Sequence, residues 1–402
     1  MKLAERMNRI DYSPIRKYHP YAVEAKKQGK KIYHFNIGQP DVITPEVFME
    51  CVRGYHEPVL EYMPSQGIPE LIHAVRDYYK RYNMNFNEED IFITNGGSEA
   101  LCFIFASILN DGDEVLVPEP FYTNYQIFTS YFEGNIVPIP SHAEEGYHYA
   151  SREKIEKEIT SKTKVILINS PCNPTGNVLT GQEMEMILQV AKEHGLYVIT
   201  DEVYREFVYD GEPLSSFGQH MNGFEDHLII VDSISKRFSA CGARIGTILT
   251  KNAEIKNAVL KLAQARLSVP TLEQFGAASL YQLTDEYFNQ VRDEYQRRRD
   301  IVFQEIMKIP DVICDKPKGS FYITVKLPID NAHDFQIFML TEFEDRGETI
   351  MFAPVEGFYA TPGRGRKEIR IAYVLKEESL IRGMELLRLG LAAYIKKQQN
   401  QR

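Results

Sequence analysis

The stretch DSISKRFSACGARIG, residues 232 to 246, sets Lys236, Arg237 and Arg244 among serines, alanines and glycines directly after the apolar run HLIIV. A cluster of cations at the end of a hydrophobic strand is costly unless something anionic sits there. A lysine in such a partly desolvated place can lose its proton and bond a carbonyl as a Schiff base. Three further apolar runs end in polar chemistry. DIFIT leads into NGGSEAL, KVILINSP is followed by CNPTGN, and LYVIT by DEVY. The first offers Gly97 and Ser98 at a helix start, where unpaired N–H groups and small side chains suit an anion. The second offers Asn173 in a turn, and the third Asp201 with Tyr204. Taken singly, each has an ordinary explanation as a helix cap, a turn or a salt-bridge partner.

Bringing these residues together is the task of the surrounding elements. Between about residues 90 and 250, the runs DIFIT, DEVLVP, NIVPI, KVILIN, LYVIT, HLIIVDS and IGTILT alternate with helical patterns. Runs too short for helices and apolar on both faces read as strands of a buried, mostly parallel sheet flanked by helices. The expected fold is therefore α/β, and such sheets bind ligands just beyond the carboxyl ends of their strands. Downstream, DEYFNQVRDEYQRRRDIVFQEIMK has the spacing and charge of a long helix. GSFYITVKL and EIRIAYV read as strands, AHDFQIFMLTEFEDRG and ESLIRGMELLRLGLAAYI as helices, and together they suggest a smaller α+β domain. The organisation expected is an N-terminal segment, 1–45, packing with the small domain and a partner subunit; a large domain, 46–290; and a small C-terminal domain, 291–402. The polar tail KKQQNQR is expected to fray.

Composition narrows the partners. The chain has 402 residues, of which 44% are hydrophobic and 25% charged, so it can bury a sizeable core. A net charge of −10 opposes a nucleic-acid surface, because phosphate backbones are held mainly by Lys and Arg. The opening MKLAERMNRIDYSP has no apolar core of a signal peptide, and ALCFIFASIL falls far short of the roughly 20 residues of a membrane span. No membrane association and a cytoplasmic location are expected. The five cysteines are scattered without a C-x-x-C pair, which suggests neither a disulfide framework nor a metal site. Cys102 and Cys314 read as core residues, and Cys172, in SPCNPTG, is the one thiol to watch near the chemistry, with a small filler as its ordinary reading.

A phosphate would answer Ser233, Arg244 and the Gly97–Ser98 amides. Asp201 would answer a protonated ring nitrogen, and Lys236 an aldehyde. Those are the parts of pyridoxal 5'-phosphate.

With these motifs in order, FNIGQPD, EYMPSQGIPEL, TNGGSEAL, VPEPFYTNY, NPTGN, DEVY, SISKRFSACGARIG and IRIAY, the chain resembles the class I/II aminotransferases, the aspartate aminotransferase family of pyridoxal-phosphate fold type I. The resemblance implies that Lys236 is the Schiff-base lysine and later moves the proton at the substrate's α-carbon. It implies that Asp201 keeps the pyridine nitrogen protonated, that Asn173 and Tyr204 hydrogen-bond the phenolic oxygen, and that Ser233, Arg244, Gly97 and Ser98 grip the phosphate. Tyr122 falls where the family stacks an aromatic on the ring. Tyr62 matches the tyrosine that reaches the neighbouring subunit's phosphate, which implies a homodimer with a shared active site. Arg370 matches the arginine that holds the substrate α-carboxylate, with Asn173 and the backbone at Gly38 beside it.

The activity so implied is a ping-pong transamination between an L-amino acid, aspartate favoured, and a 2-oxo acid such as 2-oxoglutarate. Arg266 is a candidate for reading a side-chain carboxylate, with a surface cation as its ordinary reading. An aromatic or kynurenine-type aminotransferase is the alternative, with Phe121, Tyr122, Phe352 and Tyr359 furnishing an apolar pocket. A C–S β-lyase would share nearly all the motifs.

Overall fold

A computed structural model describes residues 3–4, 7, 10 and 12–401. Its strands are β1 (Lys31–His34), β2 (Ile91–Thr94), β3 (Glu114–Pro118), β4 (Asn135–Ile139), β5 (Thr163–Asn169), β6 (Tyr197–Asp201), β7 (Leu228–Ser233), β8 (Gly246–Thr250), β9 (Tyr322–Lys326), β10 (Glu348–Met351), β11 (Ala353–Pro354) and β12 (Glu368–Ala372). The seven apolar runs singled out in the sequence are β2 to β8, and they form one sheet in the order β2-β8-β7-β6-β5-β3-β4.

Alternate residues of the central strands enter different cores, which is why these strands read as continuous apolar runs. In β5, Ile166 and Ile168 pack on one face with Ile187 and Leu188 of the helix Gly181–His194. Val165 and Leu167 pack on the other with Leu101 and Ile104 of the helix Gly96–Ile108. Helices on both faces leave no solvated side that would need polar residues.

The sheet is parallel from β4 to β7, whereas β8 is antiparallel to both of its neighbours, β2 and β7. With β8 reversed between them, β2 and β7 run the same way. The carboxyl ends of β2, β5, β6 and β7 therefore meet along one edge. There Gly246 lies between Thr94 and Ser233, and Asn169 lies opposite Asp201.

The long charged pattern is the helix Asp285–Ile306, which packs against the final helix Glu377–Gln401. Next to them stands an antiparallel sheet, β11-β12-β9, with a core that includes Phe335, Phe352, Ile369 and Leu387. The N-terminal segment contributes β1, which pairs in parallel with β10. These two four-residue strands carry too little pattern to be seen in the sequence. The tail expected to fray is instead helical to Gln401. Lysine and glutamine are good helix formers, and Lys397 pairs with Glu342 at 2.5 Å, tying the tail to the end of the helix Ala332–Thr341. Among the described residues no helix is long and apolar enough to cross a membrane.

Candidate active site

At the shared strand edge lies a cavity of about 300 Å3. Its floor carries Lys236, which follows β7 in the short helical turn Ile234–Arg237. Ser233 caps this turn, its Oγ accepting from the N–H of Ser235 at 3.1 Å. The Lys236 ammonium donates to the carbonyl of Gly38 at 2.8 Å. Gly38 must lack a side chain, since a Cβ there would sit 1.8 Å from the Tyr322 hydroxyl.

Asp201 ends β6 and is buried. Its Oδ2 accepts from the Tyr125 hydroxyl at 2.7 Å and its Oδ1 from the N–H of Val203 at 3.3 Å. Burial pushes its carboxyl up to about 6, with both hydrogen bonds working the other way. A carboxylate so placed is stabilised by any cation brought beside it. Tyr204 reaches the cavity from the loop after β6, its hydroxyl 3.0 Å from that of Tyr322. Burial and the nearby Tyr322 hold its phenol well above the ordinary range.

At one end, Gly97 and Ser98 open the helix Gly96–Ile108, whose first N–H groups have no partner within the helix. Two glycines make this approach possible. Gly96 has φ +75°, and a Cβ on it would meet the Arg244 guanidinium at 2.3 Å. Gly246 lies so close to the Gly96–Gly97 peptide that a Cβ would come within 2.4 Å of it. Arg244 itself adopts a left-handed backbone, φ 56°, and donates to the Cys241 carbonyl at 3.0 Å. Ser233 Oγ completes this end, bonded to Ser235 Oγ and to the Ile245 carbonyl.

At the opposite end stands Arg370 of β12, 1% exposed. It donates to Asn173 Oδ1 at 2.9 Å and to the Asn36 carbonyl at 2.6 Å, and its guanidinium lies over the Tyr322 ring at 4.4 Å. Both acceptors are neutral, so burial holds its charge below the ordinary arginine value. Asn173 is positioned by its own N–H, which donates to Asn169 Oδ1 at 2.7 Å. Tyr122 also lines the cavity, edge-on to Tyr125 with ring centres 5.4 Å apart, and its phenol is pushed by burial up to about 12.

Of the residues assigned from sequence to catalysis, the cofactor or the substrate α-carboxylate, all line this cavity except Tyr62, which is 80% exposed on the surface. Arg237 points away from it. It is 1% exposed and pairs with Asp232 at 2.7 Å and Glu206 at 2.7 Å. Glu206 also takes Arg205 and the Tyr78 hydroxyl, Asp232 the Tyr79 hydroxyl, and Glu202 lies 3.5 Å from Arg205. This buried network fixes the backbone behind the cavity, for Asp232, Glu202, Arg205 and Arg237 are the chain neighbours of Ser233, Asp201, Tyr204 and Lys236.

Several expectations are corrected. Cys172 does not line the cavity; the thiol there is Cys241, which donates to the Ser235 carbonyl at 3.0 Å and lies 3.9 Å from the Lys236 nitrogen. The Cys172 thiol is bonded to Thr175, and the Cys172 carbonyl accepts from Ser320 Oγ at 2.9 Å. Of the four aromatics offered for an apolar pocket, only Tyr122 lines the cavity. Phe121 and Phe352 are core residues, and Tyr359 turns its hydroxyl to Glu368 at 2.7 Å. Arg266 is also elsewhere, donating to the carbonyls of Ser65 and Ile93.

Sequence reasoning missed Tyr125, Asn169, Tyr322 and Arg16, which the structure sets at or beside the cavity. Tyr125 and Tyr322 lay inside motifs already singled out, PEPFYTNY and GSFYITVKL, but two dozen tyrosines hid them. Nothing local marks Arg16.

The donor set fits pyridoxal phosphate. It holds a buried carboxylate with no ion pair among the described residues, a lysine, and a cluster of N–H groups and a guanidinium. None of the cavity's four cations, Arg16, Lys236, Arg244 and Arg370, has an acidic partner within 4.0 Å among the described residues.

Compared with known proteins, residues 30–383 match the family described as aminotransferase class I and II. A probable aspartate/prephenate aminotransferase of Aquifex aeolicus is 32% identical over 396 residues, 97% of this chain and 98% of the relative. Among solved structures, an alanine aminotransferase from Pyrococcus furiosus has a TM-score of 0.89 at 29% identity, covering 98% of this chain and 100% of that one. The aspartate aminotransferase of Thermus thermophilus with maleate has a TM-score of 0.85 at 27% identity, covering 97% and 100%.

Proposed function

The chain belongs to the class I and II aminotransferases, and on that premise we propose that it uses pyridoxal phosphate to move the amino group of aspartate to a 2-oxo acid such as 2-oxoglutarate. When bound, the cofactor supplies a carbonyl that bonds amines and a ring that takes up an electron pair. Asp201 holds a proton on the ring nitrogen, and Asn173 and Tyr204 donate to the ring oxygen. Arg244, Ser233 and the amides of Gly97 and Ser98 hold the phosphate, and Tyr122 covers the ring. Arg370 holds the substrate α-carboxylate by a two-pronged contact, which fixes the α-carbon over Lys236. Lys236 would take up and return the substrate's α-proton on Nζ.

The observation that carries this reading is the set of unpaired cations around one buried carboxylate, spaced along a single cavity. Aspartate is preferred over an aromatic substrate because three of the four candidate pocket aromatics lie outside the cavity. The names of relatives support it, two of the three reported being aspartate or aspartate/prephenate enzymes.

The reading extends to a cytoplasmic homodimer in which Tyr62 of each subunit serves the other's phosphate. Exposure of Tyr62 and five free thiols support that extension. Mixed dimers of Tyr62→Phe and Lys236→Ala subunits test it, since one of their two sites would regain both residues; no recovery beyond the parents refutes a shared site.

The test of the activity is the visible spectrum of the protein loaded with cofactor, titrated with aspartate. Loss of the band with release of an equimolar 2-oxo acid is the expected result. Pyruvate and ammonia from β-substituted substrates, with no need of an acceptor, would refute it in favour of a lyase.

A further inference from the structure

Transamination as described employs three of the four cavity cations: Lys236, Arg244 and Arg370. Arg16 has no task in it. We propose that Arg16 is a specificity-determining residue that binds the distal carboxylate of a dicarboxylic substrate.

The segment carrying Arg16 is held firmly against the wall that carries Arg370. The N–H groups of Arg16 and Lys17 both donate to the Ser13 carbonyl, at 3.0 and 3.1 Å. Pro14 packs over Gly357, where a Cβ would lie 2.5 Å from the proline ring. Ile15 packs on Ala353, Val355 and Phe358. Ala353 pairs with Arg370 across β11 and β12, and the Phe358 ring is 5.1 Å from the Arg370 guanidinium. Beyond the turn, fully buried Tyr18 meets His333 Nδ1 at 2.8 Å. Anchored on both sides, Arg16 keeps an exposed side chain at the cavity, with no hydrogen bond or ion pair among the described residues.

Charge decides what it faces. Among the described residues Asp201 is the only acidic one lining the cavity, and it is committed to the ring nitrogen. A phosphate for Arg244 and one carboxylate for Arg370 leave Arg16 unmatched. A monocarboxylic amino acid keeps it so, whereas a second carboxylate completes the pairing. Arg266 is committed elsewhere, donating to two backbone carbonyls with its Nε 3.6 Å from Glu99.

This inference rests on the transamination reading, so the test has an arm independent of turnover. In the loaded enzyme, Arg16→Gln and Arg16→Lys are compared with the unaltered protein in kcat/KM for aspartate and for alanine, and in maleate affinity by calorimetry. Loss of a charge-assisted pair predicts an aspartate-to-alanine ratio lower by about 30- to 100-fold in Arg16→Gln, a similar weakening of maleate, and partial recovery in Arg16→Lys. An unchanged ratio with unchanged maleate affinity overturns the inference, as does an unaltered enzyme that prefers alanine or phenylalanine. If no amino acid yields an oxo acid, the transamination reading fails, and the maleate arm still decides whether Arg16 binds a dicarboxylate.

Discussion

Tyr125→Phe removes one oxygen from a contact between two buried groups. The hydroxyl donates to Asp201 Oδ2 at 2.7 Å, and the two residues are 1% and 7% exposed. Burial has already lifted Asp201 to about 6, and this hydrogen bond is the largest of the effects holding it down. A hydrogen bond to a buried charge contributes about 1.5 to 3 kcal/mol. At about 1.4 kcal/mol per pH unit, its loss moves the midpoint of Asp201 up by about one to two pH units. Near neutral pH much of the variant's Asp201 would then be a neutral acid, which cannot pair with a protonated ring nitrogen. Equilibrium dialysis of pyridoxal phosphate against pH reads this directly. Affinity should show an acid-side midpoint near 6 in the unaltered protein and a higher one in Tyr125→Phe, with affinity recovering in alkali. An unmoved midpoint in a folded variant would refute the role of Tyr125 in holding the Asp201 charge.

Arg237→Met strips the partner from Asp232 and Glu206, two carboxylates buried with it. It should destabilise the fold by about 3 to 5 kcal/mol, read as a drop in Tm or in the denaturant midpoint. A loss below about 1 kcal/mol would show that Arg205 and the tyrosines suffice to hold them. Stability without cofactor should also depend on pH through Asp201, whose folded value near 6 lies above the ordinary 3.8. The folded state then keeps its proton longer than the unfolded chain does. The stability it contributes is complete below about pH 4 and is lost as pH rises through 6, about 3 kcal/mol in all. Asp201→Asn should remove that part of the slope between acid and neutral pH, and an identical slope in the variant would exclude Asp201 as its source.

The sequence determined the architecture of the large sheet because its strands are buried on both faces. That demand writes a run of apolar residues into each strand, and the polar residues that line the cavity follow where such runs end. Lys236, Asp201, Asn173 and Gly97 were legible for the same reason: each lies immediately after such a run. The sequence could not decide which of two adjacent cations enters the cavity. Lys236 and Arg237 differ by one position, and the short helical turn after β7 sends one toward Gly38 and the other toward Asp232. Nor could it find Tyr125 or Tyr322, whose partners lie 76 and 118 residues away in the chain, or Arg16, whose neighbour Ile15 packs on residues more than 300 positions away. Contacts of that kind leave no local pattern, because they depend on how β8 reverses, how the small sheet docks and where the N-terminal turn comes to rest. Periodicity and turn chemistry act over a few residues and so set the elements; the site is made by packing between elements, which only the tertiary structure decides.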